Sequence, residues 1–212
     1  MRKIVKRQGF EPQSLTDWKR ANPNKRYSQL KDAEVRQAIR EEAIKEQYYL
    51  CGGHCCQPIS GNGDCHNEHV EAQDLNSNRT LDFGNIIASC NSKKQCGDAH
   101  GSQALPLTPF MDECESDLVF KISGRVSGKT ADAIETIRVL NLGDSEQNNK
   151  SLIEKRKALV HALLWKEEVN PEEGLEDDEL IDMLIDEIST PKNGKLEPFV
   201  PVVVNILRQW IK

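Results

Sequence analysis

Aromatic side chains are scarce in this 212-residue chain, at 5%, and its mean hydropathy is −0.61. Large rings supply much of the buried area in ordinary cores, so a modest core is expected, one that a metal staple would help. Long apolar runs are missing as well. The N-terminal MRKIVKRQGF carries positive charge with no apolar run after it long enough for a signal peptide, and nothing elsewhere approaches a membrane span. A cytoplasmic chain is the expectation, and there thiols stay reduced, so clustered cysteines read as ligands rather than disulfides. The odd count of seven cysteines suits that reading. No internal repeat is present.

An excess of positive charge is also lacking. The formal net charge of −6 argues against a surface coated in basic groups for nucleic acid, but the charge is unevenly spread. Residues 1–26 hold eight Lys/Arg against two acids, whereas residues 167–187 hold eleven Asp/Glu and no Lys or Arg. A basic stretch can track phosphates and an acidic one is repelled by them.

Residues 1–28 show no clear period and contain Pro12 and Pro23, which predicts an extended basic arm. From Gln29 to Leu50 the apolar spacing predicts a helix that delivers the chain to Cys51. Glycines and Pro58 between positions 52 and 63 predict tight turns. His66, Glu68 and Val70 alternate with Asn67 and His69, so a short strand would set His66 and Glu68 on one face. Leu81, Phe83, Ile86 and Ile87 anchor whatever carries Asn85, and Leu118 to Ile122 reads as a strand before a glycine turn. After Lys129 the pattern is helical: one short helix ends at the Asn141 turn, and a second holds Leu152 to Leu164. In the acidic stretch, Leu180, Ile181, Leu184, Ile185 and Ile188 mark an amphipathic helix. Residues 198–212 form a last helix or a tail docking through Phe199 and Trp210.

Six of the seven cysteines and four of the five histidines lie between Cys51 and His100. Cys51 and Cys55 form one pair, Cys90 and Cys96 a wider one, and four such thiolates can bind zinc tetrahedrally. Cys56 is an alternative to Cys55. Cys65 and Cys114 have no partner at a metal spacing and read as small buried residues. His54 is a substitute ligand or an outer donor, or simply a turn residue, and His161 reads as a satisfied helix histidine. Inside the cysteine brackets lies His66-Asn67-Glu68-His69. A carboxylate aimed at a divalent cation beside an imidazole that meets water suits metal-assisted phosphodiester hydrolysis with the imidazole as base.

The runs CHNEHVEAQ, LDFGNIIASC and QCGDAHG resemble the HNH endonuclease motif, a ββα-metal module whose cysteine pairs hold a structural zinc. MRKIVKR, LCGGHCCQPI, PLTPFMDECESDLVFKISGRVSG and IETIRVLNL extend the resemblance, over roughly residues 1–165, to the PtuB-like HNH family of retron-associated and Septu anti-phage systems. The resemblance implies His69 as general base, Glu68 as acidic metal ligand and Asn85 as the residue holding loop and base in position. It sets Cys51, Cys55, Cys90 and Cys96 at the structural Zn²⁺ and adds His66 as an auxiliary metal ligand or phosphate contact. His100 stands where a lysine is common in the family. It competes with Asp98 for the catalytic divalent ion, Mg²⁺ or Mn²⁺. Ala72 replaces a common proline, and the first cysteine pair has one extra residue.

The expected fold is mainly α with a small ββα-metal module stapled by a four-cysteine zinc site, α+β overall. Its expected parts are a basic extended arm (1–28), an HNH nuclease core with its lead-in helix (29–128) and a C-terminal helical region (129–212). The implied function is a metal-dependent DNA endonuclease, the effector subunit of a complex with an ABC-type ATPase (PtuA-like). In retron members that complex also holds a reverse transcriptase and its noncoding nucleic acid. The alternative is a catalytically inactive, zinc-stapled adaptor that binds nucleic acid or the ATPase.

Overall fold

Pro12 divides the N-terminal segment. In the computed structural model, which describes residues 2–145 and 147–212, the chain before it is irregular and the chain after it is α1 (Gln13–Ala21). The second half is helical, contrary to the expectation of an extended arm, and both halves pack on the rest of the chain. Ile4 donates its N–H to the Pro109 carbonyl (2.8 Å) and joins a small apolar cluster with Val70 and Ile87, while Leu15 enters the main core. Two buried anchors eleven positions apart leave no periodic trace in the sequence. The segment's cations are largely paired within the chain: Lys3 with Asp112, Lys6 with Glu46, Arg7 with Glu42 and Glu46, Lys19 with Glu11 and Arg20 with Asp17.

Asp32 starts the next helix by accepting the N–H groups of Glu34 and Val35, two donors that have no partner inside the first turn. This helix, α2 (Ala33–Glu46), buries Val35, Ile39, Ala43 and Ile44 against an antiparallel pair, β1 (Cys65–His69) and β2 (Ile86–Cys90). The register sets Glu68 opposite Ile87 and His69 opposite Ile86. Every β2 residue is buried, because Ile86, Ala88 and Cys90 join the main core while Ile87 meets Ile4 and Val70. A single helical turn, α3 (Gly97–His100), follows.

A second antiparallel pair, β3 (Leu118–Phe120) and β4 (Val126–Gly128), leads into α4 (Ala131–Leu140), α5 (Lys150–Lys166), α6 (Asp178–Ser189) and α7 (Val200–Leu207). Side chains of Thr130, Asn149 and Asp177 cap the first three of these helices. On α6 the buried residues are Ile181, Ile185 and Ile188; Leu180, expected on that face, is 49% exposed. Residues 198–212 combine both expectations, a helix flanked by buried Phe199 and half-buried Trp210. The architecture is α+β, and the main core draws on every helix except α3 and on all four strands. No helix among the described residues is long and apolar enough to cross a membrane.

Candidate functional site

Two loops meet where Gly53 faces Cys96. A Cβ on Gly53 would lie 2.6 Å from the Cys96 Cβ, so only glycine allows this approach. The approach brings Cys51 and Cys55 against Cys90, at the end of β2, and Cys96, just before α3. All four sulfurs lie within 4.8 Å of one another, fully enclosed. Cys55 Sγ and Cys90 Sγ are 3.9 Å apart. A tetrahedron with Zn–S bonds of about 2.3 Å has S···S edges of about 3.8 Å, so the cage is the size zinc requires. This group can therefore bind a structural metal such as zinc. Among the described residues it is the one compact His/Cys/Asp/Glu cluster of that kind.

The electrostatics favour a cation there. Hydrogen bonds from Cys51, then from Cys55 and Cys96, pull the Cys90 thiol far down, whereas hydrogen bonding to its neighbours raises Cys51 and burial raises Cys96. The thiolate is thus favoured at Cys90 and disfavoured at Cys51 and Cys96, and four thiolates packed this closely need a positive ion among them. Outer donors point at the sulfurs: Cys90 N–H to Cys51 (3.2 Å), Gln57 Nε2 to Cys55 (3.6 Å) and Gln95 Nε2 to Cys90 (3.6 Å). Cys56 is outside the cage, its thiol on the His54 carbonyl and pushed up to about 12 by burial. His54 is neither a cage ligand nor a surface turn residue. It is buried, its Nε2 3.1 Å from the Leu107 carbonyl, and burial pulls its pKa down to about 4. Cys65 and Cys114 are buried but not part of the cage, Cys65 lying across the sheet from Cys90, and half-buried His161 meets the Ile122 carbonyl.

On β1, alternation sends His66 and Glu68 to the face met by α3, where Gly97 leaves room for them. A Cβ on Gly97 would lie 2.5 Å from His66 Nε2 and 2.8 Å from Glu68 Oε2. Glu68 bridges two imidazoles, with Oε1 2.7 Å from His100 Nδ1 and Oε2 3.4 Å from His66 Nε2. Burial alone would raise the Glu68 carboxyl, but the hydrogen bonds from His100 and His66 outweigh it and hold it below the usual carboxylate range. The Glu68 hydrogen bond in turn raises His66. His100 is buried, and its Nε2 has no partner among the described residues. Asp98 is exposed and accepts the Lys94 N–H, so the structure brings His100, not Asp98, to Glu68.

His69 turns to the opposite face of β1. Its Nε2 lies 2.8 Å from the Thr80 carbonyl. A carbonyl only accepts, so Nε2 carries the proton and Nδ1 keeps a lone pair. Burial lowers the pKa of His69 despite that hydrogen bond, which keeps the ring neutral at pH 7. Tyr27 packs edge-on against the ring (centroids 4.7 Å apart), its hydroxyl held by Asn67 Nδ2 at 2.9 Å. Asn85 braces the connecting loop by taking the Glu71 N–H (2.8 Å) and donating to the Glu71 carbonyl (3.0 Å). Glu68 and His69 both line a cleft of about 360 Å³ that Arg26 and Ser28 line as well.

Sequence reasoning misses Tyr27 and Thr80 because nothing local marks them; their contacts with His69 span 42 and 11 positions. No family model matches the chain, and no curated protein matches it.

Proposed function

We propose that the chain is a metal-dependent DNA endonuclease of the HNH type. The observation that carries this reading is the pairing, at the mouth of one cleft, of a neutral His69 whose tautomer is fixed by Thr80 with a Glu68 carboxylate held between His66 and His100. His69 Nδ1 takes a proton from water, and the resulting hydroxide attacks a phosphodiester phosphorus as the P–O bond to the leaving oxygen breaks and that oxygen takes up a proton. Asn85 keeps the loop from Glu71 to Thr80 in place, and with it the carbonyl that orients the base.

The donor types gathered here suit a divalent cation: a carboxylate held ionised by its hydrogen bonds, with two imidazoles within 3.4 Å of it. Mg²⁺ or Mn²⁺ held by Glu68 and His100, with His66 beside them, would neutralise charge on the pentavalent phosphate and the leaving oxygen. The resemblance to the PtuB-like family supports a role as effector subunit with an ABC-type ATPase in cytoplasmic anti-phage defence, with a reverse transcriptase and noncoding nucleic acid in a retron setting.

The test is cleavage of plasmid DNA across several divalent metals, with and without the ATPase. His69→Ala should lower the rate by at least about 10²-fold while bound zinc stays unchanged. Equal cleavage by the variant removes His69 from the role. A parent protein that binds DNA or the ATPase but cuts nothing under any of these conditions supports the inactive adaptor instead.

A further inference from the structure

We infer that Arg26 is the cation that draws the substrate phosphate into the cleft, an assignment that rests on the nuclease reading above. The charged side chains lining the cleft are Glu68, Asp74 and Arg26, and His69 is neutral. Two carboxylates against one guanidinium leave that lining negative, and a phosphodiester carries a further negative charge. That is the balance of the chain alone; a divalent ion on Glu68 would offset it, and a cation of the chain on the same lining would add to the attraction for the phosphate. Among the described residues that line the cleft, Arg26 is the one Lys or Arg.

Its neighbours in sequence do other work. Lys3, Lys6, Arg7, Lys19 and Arg20 are paired with carboxylates of this chain, whereas Arg26 forms no ion pair among the described residues and its side chain is exposed. Its backbone, by contrast, is fixed. The Arg26 N–H donates to Gln29 Oε1 (3.0 Å), its carbonyl accepts the Gln29 N–H (2.9 Å), and the next residue is Tyr27, buried against the His69 ring. The Arg26 backbone is thus anchored relative to the base while its guanidinium stays available to a ligand. A planar guanidinium matches two phosphate oxygens at once, which an ammonium does not.

The test uses full-length protein in a His69→Ala background, where binding can be measured without turnover. Affinity for a short duplex DNA is followed by fluorescence anisotropy over a range of salt. Arg26→Ala should weaken binding about tenfold and reduce the salt slope by about one counterion. Arg26→Lys should keep the slope and recover only part of the affinity. With His69 restored, the loss in Arg26→Ala should fall on KM more than on kcat, with zinc content and circular dichroism unchanged. If the parent binds and cuts DNA and Arg26→Ala matches it in affinity and slope, this assignment is overturned and the nuclease reading survives. A parent that binds no DNA overturns both.

Discussion

Gly97 decides the geometry of the proposed catalytic metal site at the scale of a single residue. It opens α3 with a backbone that alanine adopts readily, so in empty space Gly97→Ala would stabilise by up to about 1 kcal/mol through helix propensity. The space is not empty: the new methyl would meet the ends of the His66 and Glu68 side chains. Those ends can swing away, so the fold should survive while the groups they carry are displaced. Misplacement by about 1 Å can cost about 10²-fold in rate. The expected result is unchanged zinc content, an unfolding midpoint near that of the parent, and cleavage reduced at least tenfold; full activity would show that His66 and Glu68 need not hold these positions. The second residue-scale expectation concerns His69. The proposed base must be neutral to act, and burial disfavours its imidazolium, so the form able to take a proton would persist to lower pH than for an ordinary histidine. At saturating metal, log(kcat/KM) should rise with pH to an inflection below about 6.5 and then level off. An inflection above that value would point to a different group.

Among the elements, α7 plays a part that no stripe in its sequence discloses. Asn205 on α7 accepts the Phe120 N–H (2.9 Å) and donates to the Leu118 (2.9 Å) and Glu115 (3.0 Å) carbonyls, so one amide stands where β3 would otherwise need a third strand. Asn205→Leu keeps the size but leaves those buried backbone groups without partners, at a cost of about 1–3 kcal/mol for each. Urea unfolding should show a loss of at least about 2 kcal/mol, and a midpoint equal to the parent's would mean that water replaces the amide freely. The sequence discloses α2 readily, because its buried residues recur at helical spacing, and it discloses β1 through the alternation of His66 and Glu68 with Asn67 and His69. It discloses the cysteine cage too, since thiolate chemistry survives loose spacing. For α7 it fails: VPVVVNIL is buried on all sides, and without a polar face there is no period to read. Ile4 and Tyr27 are hidden differently, as single contacts to partners far along the chain.

On the scale of the whole molecule, the cysteine cage is where distant parts of the chain converge. Cys51 N–H reaches Gln57, Gly52 N–H reaches Ala88 on β2, Cys96 N–H binds the Leu140 carbonyl at the end of α4, and Phe199 N–H at the start of α7 binds the Cys56 carbonyl. Arg156 of α5, fully buried nearby, ties the Gly124 (2.6 Å) and Leu142 (3.1 Å) carbonyls. With so few aromatic rings in the core, a metal at this junction would carry much of the tertiary stability. If removal of zinc costs even about 4 kcal/mol, the unfolding midpoint should fall by roughly 8–16 °C in a domain of this size. Zinc displaces thiol protons on binding, so its affinity should weaken as pH falls, and a chelator should strip it faster at pH 6 than at pH 8. Cys90→Ser should lose the metal and the stability together. Cys114→Ser, buried outside the cage, is the control for cavity and polarity effects and should keep the metal. Equal zinc in Cys90→Ser and the parent, measured by elemental analysis, would show that the four sulfurs do not act as one site.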